Sequence, residues 1–359
     1  MWFDTAASHR LGITYPIIQG PFGGGLSSVR LAAVVSDAGG LGSFGLQGMS
    51  PSAITDTIAD LRRATTRPFA VNLWVSVEDE GARTVDPASL ERALGPLRPF
   101  YERAGLRVPS AISGGWPTFE EQARAVIESA PPVLSFVFGI PPDWVLDKCG
   151  AKGIITIGTA TTVDEALALE RAGLDLIVAS GFEAGGHRGS FLRSAEQSLT
   201  GTFSLVPQMV DAVRVPVIAA GGIADARGVA AAMLLGASGV QIGTAFLACD
   251  ESNAPPLHKT ALRSPAARTT MLTRALSGRL ARGIRNELSR SYEDQPGVGP
   301  LPYPAQTELT IAFRQRALAR GDAEAISMWA SQSASLLKHH SAAALFKDFV
   351  TGTGSLLKQ

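Results

Sequence analysis

Residues 153–189 read GIITIGTATTVDEALALERAGLDLIVASGFEAGGHRG, and this stretch decides the fold. Residues 153–157 form a short apolar run. Thr162, with Glu165 three residues later, makes a capping box. Val163, Ala166, Leu167, Glu170 and Leu174 then recur at helical spacing, and Gly173 can end the helix. Residues 174–179 form a second apolar run. It is nearly continuous instead of alternating, as expected of a strand covered on both faces. Strand, crossover helix and strand together make the repeating unit of a parallel α/β protein.

The same unit recurs on both sides. Runs at 16–19, 41–44, 69–74, 133–138, 215–219 and 239–242 read as further strands. A helix over 29–38 ends at Gly39-Gly40. Asp225 opens another helix through Val229, Ala230, Met233 and Leu234, which Gly236 ends. Eight parallel strands over this length suit a closed (β/α)8 TIM barrel, with an open doubly wound sheet as the competitor. The 359 residues then divide into a barrel over 1–250 and a smaller, mainly helical appended domain over 251–359. A polar stretch over 76–115, rich in Pro and Gly, reads as an excursion between the third and fourth strands. After about Asp250 the strand signals stop. Pro255, Pro256, Pro296, Pro300, Pro302 and Pro304 break the tail, and helices are expected over 307–320 and 323–337. The appendage is expected to cover the active-site end of the barrel.

Composition narrows the function. Lys+Arg and Asp+Glu are equal at 32 each, so the chain lacks the basic excess that marks nucleic-acid or anionic-membrane binding. Two cysteines, Cys149 and Cys249, cannot build a disulfide framework or a four-sulfur zinc site. A reducing cytoplasm is the default location. The first ten residues do not resemble a secretory signal. Residues 228–249 carry no charge and are long enough to cross a bilayer. Their low hydropathy and the glycines at 236, 239 and 243 favour helix, turn and buried strand instead. Neither a P-loop nor a Gly-x-Ser-x-Gly elbow is present.

The candidate chemistry gathers at strand ends. The seventh strand runs into Ala220-Gly221-Gly222-Ile223 and the eighth into Gln241-Ile242-Gly243-Thr244. Barrels commonly hold a phosphate at these two loops, on backbone N–H groups that glycine leaves open. Such glycines also serve to pack helices on strands. The first strand leads into Gly20-Pro21-Phe22-Gly23-Gly24-Gly25. This is no dinucleotide fingerprint; it is either a close backbone approach to a flat ring or a plain turn. The sixth strand leads into Gly181-Phe182-Glu183-Ala184-Gly185-Gly186-His187-Arg188-Gly189. A histidine here can exchange protons near neutral pH, and Glu183 can orient it or pair with Arg188; it can equally be a loop histidine satisfied by a carbonyl. No second ligand stands at metal spacing.

The loop at 181–189 resembles the signature of the nitronate monooxygenases, formerly 2-nitropropane dioxygenases. The opening Pro-Ile-Ile-Gln-Gly-Pro-Phe-Gly-Gly-Gly at 16–25 is similar to that family's first motif. Val-Asn-Leu-Trp around Asn72 and Ser-Phe-Val-Phe-Gly at 135–139 resemble its second and third. The segments 219–225 and 241–246 resemble its phosphate loops, and Tyr303 and 329–332 its carboxy-terminal pieces. The resemblance implies a barrel binding FMN non-covalently and oxidising alkyl nitronates with O2 to a carbonyl compound and nitrite. It implies FMN contacts at Asn72, Ser180, Gly185, Gly222, Gln241, Ile242, Gly243 and Thr244, with Gly221 added by the phosphate reading, and His187 in the catalytic position. Ser180 stands where the family usually has Gln, and Phe22 where it has Met. Partners are then a small nitronate or nitro compound and O2, with a homodimer left open. The alternatives are an FMN-dependent enoyl-(acyl-carrier-protein) reductase using NAD(P)H, and a flavin-binding barrel without turnover.

Overall fold

The computed structural model describes residues 1–75, 84–293, 295 and 297–357. The opening of the expected excursion, residues 76–83, and Pro296 lie outside the described residues. Eleven strands are found among the described residues: β1 (Ile17–Gln19), β2 (Gly42–Gly45), β3 (Phe69–Trp74), β4 (Val133–Val137), β5 (Ile155–Ala160), β6 (Leu176–Ser180), β7 (Gly186–His187), β8 (Val217–Ala220), β9 (Gly239–Ile242), β10 (Thr270–Thr273) and β11 (Ala281–Ile284). Eight of them form one parallel sheet in the order β1-β9-β8-β6-β5-β4-β3-β2. A parallel bridge between Ile18 and Leu41 joins its two edges, so the sheet is a (β/α)8 barrel.

The deciding stretch folds for the reasons its sequence suggests, with two adjustments. Gly153, at φ +67°, belongs to the turn that ends the helix Asp143–Ala151, so β5 begins at Ile155 and not at 153. Asp175 then accepts hydrogen bonds from the Thr156 N–H (2.8 Å) and hydroxyl (3.0 Å), which ties the entries of β5 and β6 together. The capping box is only half made. The Thr162 hydroxyl accepts from the Glu165 N–H at 3.3 Å. The Glu165 carboxylate reaches past it to Thr161, whose N–H and hydroxyl both donate at 2.7 Å.

Strand alternation sorts the apolar residues into two layers. Ile18, Ile157, Leu176, Val178 and Ile218 fill the barrel, with Ala7 and Leu11 of the helix Ala6–Leu11 closing its amino-terminal end. Ile17, Val71, Phe136, Ile177 and Val240 face outward into the layer between sheet and helices. The uncharged span at 228–249 divides into most of the helix Ala226–Leu234, strand β9 and the whole of the short helix Thr244–Leu247. Among the described residues, no helix is long and apolar enough to cross a membrane.

The tail differs from expectation in three ways. Two strands, β10 and β11, pair antiparallel within it, with Thr270 opposite Ile284. These runs are only four residues long and contain polar residues, so they carry little strand signal. The helix expected over 323–337 is instead two short 3-10 turns, Ala323–Ala325 and Ala334–Leu336, flanking an extended segment. The helix Ala342–Leu356 packs on the barrel helices Val29–Asp37 and Ala226–Leu234, burying Leu345, Phe346 and Phe349 in the main core. The tail therefore does not form one unit after residue 250, because its last helix sits with the barrel. The part between joins the excursion helices Pro87–Leu94 and Arg98–Ala104 in a second core, where Phe313 meets Phe100 and Tyr101.

Candidate active site

His187 is placed by two bodies at once. It follows β6 at the carboxy-terminal mouth of the barrel and lies on β7, which pairs antiparallel with β11 of the tail: Ala281 stands opposite His187, and Arg282 opposite Gly186. Arg188, buried beside it, donates to the carbonyls of Gly181 (2.6 Å) and Ser180 (2.7 Å) and so holds the loop against the strand it leaves. Beyond the loop, the fully buried Glu165 carboxylate accepts from the N–H groups of Phe191 (2.6 Å) and Leu192 (3.1 Å). The helix start read from the sequence is thus also the anchor of the loop that carries His187.

Among the described residues Glu183 forms no hydrogen bond or ion pair with His187 or Arg188, although its charge acts on Arg188. Its carboxylate accepts from the Thr202 N–H at 2.9 Å and hydroxyl at 3.0 Å, while Arg188 is held by carbonyls. The group that touches the imidazole is Ser277, whose Oγ lies 2.8 Å from Nε2. Aromatic rings enclose the imidazole: Trp74 at 4.8 Å between centroids, Trp329 at 5.1 Å and Phe138 at 6.2 Å. Arg279 stacks its guanidinium 3.8 Å above the Phe138 ring. A second histidine supports this wall, since Nε2 of His258 lies 2.9 Å from the Trp329 carbonyl. His258 belongs to the helix Pro256–Leu262 and is buried there.

Both histidines are held neutral. Enclosure, and then the positive charges of Arg279 and Arg314, push the pKa of His187 down to about 3. Burial pushes His258 down to about 4, against a pull upward from the Trp329 carbonyl. The sequence expectation of a histidine titrating near neutrality is therefore corrected for this protein as folded. The unfolded chain takes up these protons below about pH 6.5, and the folded chain does not until near pH 4 and 3, so stability is lost as pH falls through that window. For His258 alone the loss at pH 5 is on the order of 2 kcal/mol. Thermal melts of His258→Gln should show a smaller drop in Tm between pH 7 and pH 5 than the parent protein. Parallel curves would reject the assignment.

The loops expected to take a phosphate lie at the same mouth. Gly221 and Gly222 follow β8 at φ +106° and +72°, and Gly243 follows β9. Among the described residues, the N–H groups of Gly221, Gly222 and Gly243 make no hydrogen bond. A Cβ at Gly243 would meet nothing closer than Phe22 Cε1 at 3.9 Å, so the side of the residue where a side chain would stand is open. Thr244 begins the short helix Thr244–Leu247, and its Oγ1 accepts from the Ser331 N–H at 3.0 Å, joining this loop to the tail. Unpaired donors on glycine at two neighbouring strand ends fit an anionic phosphate.

The remaining expected contacts sit around this mouth with different freedom. Gly185 is wedged between Thr244 and the tail: a Cβ there would lie 2.6 Å from Ala330 C and Ser331 N. The Asn72 amide donates to Ser135 Oγ at 2.9 Å and to the Ser135 carbonyl at 3.2 Å, so its nitrogen braces β3 to β4. Ser180 is buried at the end of β6, opposite Ala220. Gln241 is half-buried on β9. Ile242 packs in the main core and pairs with Gln19 in the ladder, where its carbonyl accepts the Gly20 N–H at 2.9 Å, so its side chain and carbonyl are committed to the fold. Cys149 and Cys249 are buried, and their thiols are pushed up to about 11 and about 12, first by burial. No group of three or more metal-ligating side chains occurs among the described residues.

Sequence reasoning missed Ser277 and undervalued Trp74. Ser277 lies in a stretch with no recognisable pattern, 90 residues from its partner, and no local signal marks it. Trp74 ends an apolar strand, where a large ring is most simply read as core.

Known proteins resemble this chain over nearly its whole length. The family model described as nitronate monooxygenase matches residues 5–352. A probable nitronate monooxygenase of Staphylococcus saprophyticus is 40% identical over 361 residues, covering 100% of both chains. One from Staphylococcus aureus strain Newman is 40% identical and covers 100% of this chain and 99% of its own. Among solved structures, nitroalkane oxidase from Streptomyces ansochromogenes superposes with a TM-score of 0.88 at 33% identity over 99% of each chain. FabK from Thermotoga maritima gives 0.76 at 30% identity, over 99% of this chain and 97% of its own. The family match over nearly the full length, together with these relatives, makes the chain a member of the nitronate monooxygenase family and a flavin oxidoreductase.

Proposed function

We propose that the protein is an FMN-dependent enzyme that oxidises alkyl nitronates with O2 to a carbonyl compound and nitrite, and accepts neutral nitroalkanes after removing their α-proton. The observation that carries this reading is the imidazole of His187 in an aromatic box at the same barrel mouth as the unpaired N–H groups of Gly221, Gly222 and Gly243. Those groups, with Thr244, would hold the FMN phosphate, and Asn72, Ser180, Gly185 and Gln241 would flank the rest of the cofactor. Bound FMN supplies the electron-accepting chemistry, which no side chain here can provide.

The chain's own part is binding and proton transfer. The α C–H bond breaks, its electron pair stays on the substrate as nitronate, and an N–H bond forms on His187. An imidazolium is costly here, first because the ring is buried and then because Arg279 and Arg314 are close. The same two charges favour the nitronate anion, so proton transfer within the pocket creates one charge they oppose and one they stabilise. The rings of Trp74, Trp329 and Phe138 limit water around the reacting atoms.

The test is a purified-protein spectrum followed by ethyl nitronate and, separately, NADH. Flavin absorbance with nitrite release from the nitronate is the expected result. Bleaching by NADH without nitrite would move the assignment to the reductase chemistry, for which the likeness to FabK is the supporting observation.

A further inference from the structure

We propose that Ser277 is a positioning residue that holds His187 as its Nε2–H tautomer, leaving the lone pair on Nδ1 to take the substrate proton. The Ser277 hydroxyl has one proton and two acceptor sites, and three neighbours compete for them. The Arg279 N–H lies 3.4 Å from Oγ and can only donate. The Arg279 carbonyl, also at 3.4 Å, can only accept. His187 Nε2, at 2.8 Å, is the undecided partner. If Oγ donates to the carbonyl, it can accept from both Arg279 N–H and His187 Nε2–H, and every neighbour is satisfied. If it donates to Nε2, the carbonyl loses that donor. Ser277 is buried, so water does not readily replace it.

The opposite ring nitrogen agrees with this assignment. Nδ1 makes no hydrogen bond among the described residues, and it is not one of the sealed polar atoms that lack a partner. No donor among the described residues therefore occupies its lone pair. Ser277 also comes from the tail, so the base receives its tautomer from the body that covers it.

The part assigned to Nδ1 rests on the proton-abstraction reading; the tautomer itself does not. The first measurement is 15N NMR of histidine-labelled holoenzyme, with the His187 resonances identified by their loss in His187→Asn. An Nε2–H correlation is expected, and an Nδ1–H correlation would overturn the proposal. The second compares Ser277→Ala and Ser277→Thr. Loss of the hydroxyl should lower kcat/KM for a neutral nitroalkane about tenfold, leave pre-formed nitronate nearly unchanged, and be rescued by threonine. Equal losses on both substrates, or no loss on either, would remove the positioning role. Should His187→Asn itself fail to separate the two substrates, the base reading falls while the NMR result still decides the tautomer.

Discussion

Replacing His187 with asparagine should lower kcat/KM for a neutral nitroalkane by about 10²–10⁴-fold, the usual worth of a positioned general base. The same variant should lose far less on pre-formed nitronate. The asymmetry follows from chemistry: a nitronate has already lost its proton, and the asparagine amide can still offer a donor to its oxygens. Arg279 and Arg314, whose charges depress the histidine's pKa, remain in place to hold the anion. Steady-state rates of nitrite formation on both substrates decide the matter. Equal losses would assign His187 to binding or to the architecture of the box, and the proton would need another acceptor.

The second large effect is expected at Gly185. Its Cβ position is already occupied by the main chain of the tail, at 2.6 Å from Ala330 C and Ser331 N, with Thr244 Oγ1 at 3.0 Å. Gly185→Val must therefore push the 330–331 segment away from Thr244 and break the Ser331 N–H contact. Overpacking of this kind costs about 1–3 kcal/mol, which is roughly a 5- to 150-fold weakening if it falls on cofactor binding. The variant should purify largely colourless and recover yellow colour only at high FMN. Gly150→Ala is the control, since that helical glycine has nothing within 4 Å of its Cβ position. Full flavin content in Gly185→Val would show that the tail and the phosphate loop are not coupled.

The barrel was legible because its strands are continuous apolar runs ended by glycine. All eight runs found partners in the sheet, with edges shifted by up to three residues, as at β5, where the turn glycine Gly153 opened the run. The loop bearing His187 was legible from its residue pattern. Its neighbours were less so, for a physical reason. Tertiary contacts at long sequence separation leave no periodic trace: Ser277 meets His187 across 90 residues, and Glu165 meets Phe191 across 26. The sequence reading gave Glu165 a local helix-capping role, because local spacing was the only evidence in view. The strands of the tail escaped notice because they are short and polar.

The pairing of β7 with β11 has a consequence for synthesis. A ribosome that has released residues 1–242 has delivered all eight barrel strands, yet His187 then has no opposite strand and no hydroxyl on Nε2. Ser277, Ala281 and Trp329 must emerge before the imidazole has its surroundings. The last helix, which seals the seam between the helices at 29–37 and 226–234, follows only after them. A nascent or truncated chain thus lacks the finished surroundings of His187 until the tail has taken its place.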